Sequence, residues 1–202
     1  MTAEIEVAPA REDDLGAIVA LYNHYVERSP ATFEVAAVSV DDRRGWLADH
    51  SGGGRHRLLV ARDRSGPLVG WATTSPFRPR AAYATTVESS VYCHPLHQGR
   101  GIGSALYTAL FRAIAAEDIE RIVAGVALPN PASVALHRRF GFRPVGVFTR
   151  VGRKFGQYWD VAWFERPARV ADEGPMPVSE VSRTLGAPPG SSFAVDPAPG
   201  TG

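Results

Sequence analysis

The chain predicts a mixed α/β domain in which helices cover the faces of a sheet rich in hairpins. Three observations carry this. Apolar residues recur every 3.6 positions in some stretches and every second position in others, in the order β-α-α-β-β-β-α-β-α-β-β. Asp63-Arg64-Ser65-Gly66 sits between two apolar runs, as a hairpin turn does. An apolar run ending at Tyr92 breaks at Pro95 and passes through a glycine-rich loop straight into a helical pattern.

Each element follows from local chemistry. Ile5 and Val7 fit a short strand. Asp13 and Asp14 open a helix whose apolar face is Leu15, Ile18, Val19, Tyr22 and Val26, and Ser29-Pro30-Ala31-Thr32-Phe33 breaks it. A shorter helix is expected over Val40 to Asp49, followed by the flexible loop Ser51-Gly52-Gly53-Gly54. Strands are expected over Leu58 to Arg62, Leu68 to Thr74 and Tyr83 to Tyr92. A helix over Gly101 to Ala116 buries Ile102, Leu106, Leu110 and Ile114. A strand over Arg121 to Leu128 and a helix over Asn130 to Phe140 come next, with Gly141 placed to end the helix. Phe142 to Val151 and Tyr158 to Phe164 complete the sheet.

The chain has 202 residues, a length that suits one domain with a full core. Residues 1–166 are expected to form it. Residues 167–202, punctuated by prolines among Gly, Ser and Ala, are expected to be a largely disordered tail. A net charge of +1 gives no case for nucleic acid or an anionic membrane as partner. The single cysteine, Cys93, excludes an intrachain disulfide and fits a reducing compartment. No basic-then-apolar leader and no apolar run of membrane-spanning length is present, so a cytoplasmic location is expected.

The chemistry concentrates between residues 88 and 104. Gln98-Gly99-Arg100-Gly101-Ile102-Gly103-Ser104 alternates glycine with other residues just before a helix. Such spacing lets backbone N–H groups converge on a phosphate, with the positive end of the helix aimed at the same spot. The loop is not a Walker A motif, because no Lys-Ser or Lys-Thr follows the last glycine. Nor does it fit a dinucleotide fingerprint, which needs its third glycine three residues after the second. A glycine-rich turn that binds nothing is the remaining alternative. Glu88 lies one strand-length upstream among Val87, Val91 and Tyr92. A carboxylate there is either a base with a raised pKa or a group on a solvated or salt-bridged face. Arg78 and Arg80 flank Pro79, spaced to grip an anion together or to form an exposed basic loop. His94, His97 and Cys93 lack the carboxylate or cysteine spacing of a metal site, and no metal is expected.

The loop resembles the Gln/Arg-x-x-Gly-x-Gly/Ala pyrophosphate loop of GCN5-related N-acetyltransferases. Asn130-Pro-Ala-Ser133, running through Leu136-His137 to Phe140-Gly141-Phe142, is similar to that family's second signature. Within the family, Tyr22-Asn23-His24-Tyr25-Val26, the 86–92 strand, Leu128-Pro129-Asn130 and Lys154-Phe155-Gly156 resemble the phosphinothricin and methionine sulfone/sulfoximine N-acetyltransferase subgroup. The likeness covers about residues 5 to 166.

The resemblance implies the family's fold, a mostly antiparallel central sheet with one strand splayed or bulged at the acetyl-CoA site. It implies that Gln98, Gly99, Arg100, Gly101, Ile102, Gly103 and Ser104 hold the coenzyme pyrophosphate, with Arg100 a candidate to add a charge. It implies that backbone groups of Val91, Tyr92 and Cys93 bind the pantetheine arm and polarise the acetyl carbonyl, and that Asn130, assisted by Ser133, binds the same arm. Capping the helix is the alternative role for Asn130 and Ser133. Glu88 becomes the candidate general base. His137 is a candidate acid or second base, or else a packed helix residue. Arg78, Arg80 and Tyr83 are candidates to hold the substrate's carboxylate, phosphinyl or sulfonyl oxygens. Phe33 is a candidate wall of that pocket, or a core aromatic. The implied activity is acetylation of the α-amine of a small amino-acid-like molecule by direct attack, in a homodimer with the C-terminal strands near its interface. An acetyltransferase for another amine, such as a polyamine, aminoglycoside or protein N-terminus, and a non-catalytic acyl-CoA-binding module are the rivals.

Overall fold

The computed structural model describes residues 5–50, 52–63 and 66–169. The proline-rich tail beyond 169, the first four residues, residue 51 and the centre of the 63–66 turn lie outside the described residues.

The elements are β1 (Ile5–Pro9), α1 (Leu15–Arg28), α2 (Val40–His50), β2 (Leu58–Asp63), β3 (Leu68–Pro76), β4 (Thr86–Cys93), α3 (Ile102–Ala113), β5 (Arg121–Leu128), α4 (Pro131–Arg139), β6 (Arg143–Lys154) and β7 (Gln157–Pro167). This is the expected order. The seven strands form one sheet in the order β1-β2-β3-β4-β5-β7-β6. All neighbours are antiparallel except β4 and β5, which are parallel.

Period-two burial splits the core between the two faces of the sheet. On one side α3 packs Leu106, Tyr107 and Leu110 against Val87, Ile122, Phe142 and Phe164. On the other, α1 packs Leu15, Ile18 and Leu21 with Leu47 of α2 against Leu58, Val60 and Trp71. Two glycines permit close approach. A Cβ on Gly70 would lie 2.9 Å from Ile102 Cγ2 and from the Tyr92 carbonyl oxygen, so α3 could not sit so near β3. A Cβ on Gly103 would come within 3.0 Å of Leu136, where α3 meets α4.

Several boundaries differ from expectation. The strand expected from Tyr83 starts at Thr86, because Ala81–Tyr83 forms a 3₁₀ turn closed by Tyr83 N–H to Arg80 O (2.9 Å) and Ala84 N–H to Ala81 O (3.0 Å). The third helix starts at Ile102, since Gly101 is left-handed (φ 79°), and its last turn stops at Ala113. The final two strands are longer than expected. They form a hairpin about Phe155 and Gly156, both at positive φ (52° and 76°), the geometry of a tight two-residue turn. Their charged outward residues mask the apolar alternation in sequence.

Lys154 ties this hairpin to the C-terminal end of α1 and the loop after it. Its side chain is buried and its ammonium donates to the carbonyls of Ser29 (2.8 Å), Thr32 (2.7 Å) and Tyr25 (3.4 Å). A cation at the last carbonyls of α1 complements the helix dipole and satisfies groups the helix leaves unpaired. It fixes the 29–33 loop beside the cleft described next.

Candidate active site

The cleft begins where the sheet opens. β4 pairs with β5 at only three positions, ending at Glu88↔Val123. Beyond that point β4 stays on β3 as far as Gly70↔Cys93, while β5 follows β7 as far as Leu128↔Asp160. The two strands therefore part immediately after Glu88. The β5-facing backbone edge of Val91, Tyr92 and Cys93 is left without a strand partner, as the splayed-strand expectation required. At the far end the Tyr25 hydroxyl donates to the Cys93 carbonyl (2.6 Å) and ties α1 to the opened strand.

A cavity of about 650 Å³ fills the opening. Ser89 to Cys93 line one side, and Gly125, Ala127, Pro129, Asn130, Ser133 and His137 line the other. Gln98, Gly99, Gly101, Ile102, Gly103 and Ser104 form its end wall. The backbone N–H groups of Gly99 and of Gly101 to Ser104 have no acceptor among the described residues. Gly99 (φ 76°) and Gly101 (φ 79°) take the left-handed backbone that turns these groups together, and the space a Cβ would fill there is open. Unpaired, convergent amides beside a helix N-terminus are the donor set a diphosphate requires.

The Arg100 side chain departs from expectation. Its guanidinium binds Asp63 (3.1 Å) and His97 Nδ1 (2.5 Å), and the residue is absent from the cavity wall. It anchors the loop to β2, and only its backbone belongs to the cradle. Asn130 does cap α4, its Oδ1 accepting from Ser133 N–H (3.1 Å), and Ser133 is the capped residue, not a cap; both still line the cavity.

Glu88 is half-buried at the apex of the split. Burial lifts its carboxyl above the ordinary carboxylate range, and the Arg78 charge offsets part of the rise. Arg78 itself is exposed and stacks on Phe77 (4.5 Å). Arg80 is exposed and forms no salt bridge among the described residues, and Tyr83 meets Phe77 edge-on at 5.7 Å. Phe33 is partly exposed and lies against Gly152 of β6, where a Cβ would overlap its ring. None of Glu88, Phe33, Arg78, Arg80 and Tyr83 lines the large cavity, whose β4 wall begins at Ser89.

His137 is buried in the cavity wall with both ring nitrogens engaged. Nδ1 lies 2.7 Å from the Ser133 carbonyl, which can only accept, so Nδ1 carries the proton. Nε2 therefore accepts from the Tyr107 hydroxyl at 3.0 Å. Burial lowers the pKa of His137, consistent with this neutral form. Tyr107, which also lines the cavity, is held protonated by burial. The sequence offers little sign of Tyr107, since it sits at a core position of α3. The Cys93 thiol is pushed up to about 11 by burial, so it stays protonated at neutral pH and is a poor nucleophile.

A smaller cavity of about 140 Å³ adjoins on the α1–α2 side of the sheet. Ser90 and Tyr92 line both cavities. Its other walls include Arg43, Trp46, Trp71 and Ser75, the last being the register partner of Glu88. Among the described residues, no group of three or more His, Cys, Asp or Glu side chains is placed to hold a metal ion.

Residues 7–163 match the family described as acetyltransferase (GNAT) domain. The chain belongs to the GNAT family. It is 54% identical over 167 residues to a phosphinothricin N-acetyltransferase of Streptomyces coelicolor, covering 82% of this chain and 98% of that one. It is 34% identical over 152 residues to an L-methionine sulfoximine/L-methionine sulfone acetyltransferase of Pseudomonas aeruginosa, covering 75% and 88%. Among solved GNAT structures, a phosphinothricin acetyltransferase from Sinorhizobium meliloti in complex with AcCoA superposes with a TM-score of 0.77. The two are 33% identical, over 88% of this chain and 97% of that one.

Proposed function

We propose that this GNAT protein transfers the acetyl group of acetyl-CoA to the α-amine of a small amino-acid-like substrate, with phosphinothricin and methionine sulfoximine or sulfone as leading candidates. One observation carries the reading: β4 leaves β5 directly after Glu88, so the cleft, whose wall begins at Ser89, opens next in chain to a carboxylate of raised pKa.

When bound, acetyl-CoA supplies an acetyl group activated as a thioester. The amides of residues 98–104 hold its diphosphate, and the free edge of Val91 to Cys93 offers backbone groups to the pantetheine arm and the carbonyl oxygen. Asn130 and Ser133 line the opposite wall of the same channel. Glu88, directly or through water, takes a proton from the substrate ammonium. The neutral amine then forms the new N–C bond as the C–S bond breaks. The departing thiolate takes a proton from the Tyr107 hydroxyl in the cavity wall, which turns away from His137 Nε2 to give it and recovers a proton from solvent. Arg78 and Arg80 offer positive charge to the substrate's anionic groups near Glu88, with Tyr83 and Phe33 at the rim.

The exposed apolar residues of the β6–β7 hairpin support a homodimer, since β6 is an edge strand carrying Val147, Phe148 and Val151 outward. The single, half-buried cysteine fits a cytoplasmic enzyme. Thiol release from acetyl-CoA with a panel of amines tests the function. Turnover with phosphinothricin or methionine sulfone, and little with spermidine or an aminoglycoside, is expected. Tight coenzyme binding with no thiol release on any amine would overturn it.

A further inference from the structure

The small cavity on the α1–α2 side contains donors with nothing to donate to. Arg43, from the first turn of α2, lies over the rings of Tyr22 (4.9 Å) and Trp46 (5.5 Å) and forms no salt bridge among the described residues. Its neighbour Asp42 accepts from Ser39 instead, at 3.1 Å from N–H and 2.7 Å from Oγ. Trp71 is 4% exposed, and its buried indole N–H has no acceptor among the described residues. An orphaned buried donor is destabilising unless a ligand or water takes it. The remaining polar groups are better served. Ser75 donates to His50 Nε2 (2.9 Å), because His50 Nδ1 donates its proton to the Trp46 carbonyl (2.6 Å). Thr73 donates to the Arg57 carbonyl (2.8 Å). The donors left over are thus a guanidinium, an indole N–H and the Ser90 hydroxyl, in a space of about 140 Å³. That is the order of volume that holds one small organic group (~150 Å³ for a benzene-sized cavity).

We infer that this cavity is the subsite for the oxygen-bearing tip of the substrate's side chain, a phosphinate, sulfonyl or carboxylate group, with Arg43 and Trp71 as its specificity-determining residues. The inference rests on the proposed acetylation of amino-acid-like amines. Reach decides the placement. The α-carboxylate sits one carbon from the reacting amine, so it stays near Glu88, within the field of Arg78. The side-chain tip lies several bonds further on. The paired rows Glu88, Ser90, Tyr92 and Ser75, Thr73, Trp71 share one face of β4 and β3 and lead from the base into the cavity. A half-buried guanidinium and a buried N–H that lack partners favour an acceptor and penalise a plain hydrocarbon or thioether, which would leave the indole N–H buried and unpaired.

The test compares thiol release with methionine sulfone and methionine, two substrates that differ only in the oxygens at the tip, and with phosphinothricin. In Arg43→Gln the ratio of kcat/KM for methionine sulfone to that for methionine should fall at least tenfold, mainly through KM, with phosphinothricin weakened in parallel. Trp71→Phe, which keeps an aromatic ring and removes the N–H, should shift the ratio in the same direction and provides the reading if Arg43→Gln does not fold. An unchanged ratio in both variants overturns the subsite while leaving the acetyltransferase reading intact. A wild-type protein that binds acetyl-CoA yet acetylates no amino acid overturns the underlying reading instead.

Discussion

Glu88 gives up its proton reluctantly where it sits. Its folded-state pKa lies above the unfolded value of about 4.3, so the native state holds the proton to higher pH. Its contribution to stability is therefore most favourable below the unfolded pKa. It declines as pH rises through the window between the two values and is level above it. Activity runs the other way, because the base must be empty: kcat/KM should rise with pH along a limb set by Glu88. In Glu88→Gln that limb should vanish, kcat should drop by about 10²-fold or more, and the melting temperature near neutral pH should rise slightly. Retained activity, measured by thiol release across pH, would remove Glu88 from the chemistry. Tyr107→Phe should lower kcat more than it changes KM. It should also cost about 1–3 kcal/mol in denaturant unfolding, because His137 Nε2 loses its donor. Glu88 was legible in the sequence because a carboxylate in an apolar strand is unfavourable without a reason. Tyr107, Arg43 and Trp71 were not, because aromatics at core spacing and an arginine in a polar helix look ordinary until their partners, or lack of them, are seen.

The elements that build the cleft were legible to different degrees. The glycine loop and α3 were plain in sequence, since alternating glycines followed at once by a 3.6-residue period mark a tight turn feeding a helix N-terminus. Gly101→Ala should keep the fold, because a Cβ there meets open space, but the positive φ costs about 1–2 kcal/mol. The expected result is a several-fold higher KM for acetyl-CoA with an unchanged KM for the amine; the reverse pattern would detach the loop from the coenzyme. The extent of β6 and β7 was harder to read, because their outward residues are a mixture of arginines and apolar groups. The role of Lys154 could not be read at all. Its three carbonyl partners come from residues more than 100 positions away in the chain, and no local pattern encodes such a contact.

At the scale of the molecule, the sheet's β6 edge carries several exposed apolar residues. Phe148 (58% exposed) and Val151 (55%) project from β6, with Phe155 and Tyr158 beside them. Phe148→Glu should convert a dimer to a monomer in light scattering while leaving the melting transition cooperative; a wild-type monomer at micromolar concentration would contradict the proposed assembly. The order of elements followed from periodicity, but the parting of β4 from β5 did not. That opening depends on which strands pair over only part of their length, and family resemblance anticipated it where spacing alone could not. The most direct measurement is a crystal structure of the protein soaked with acetyl-CoA. The expected density places the diphosphate within hydrogen-bonding distance of the amides of residues 98–104 and the thioester between the separated strands, next to Glu88. A coenzyme bound elsewhere, with those amides closed off by neighbouring side chains, would contradict it.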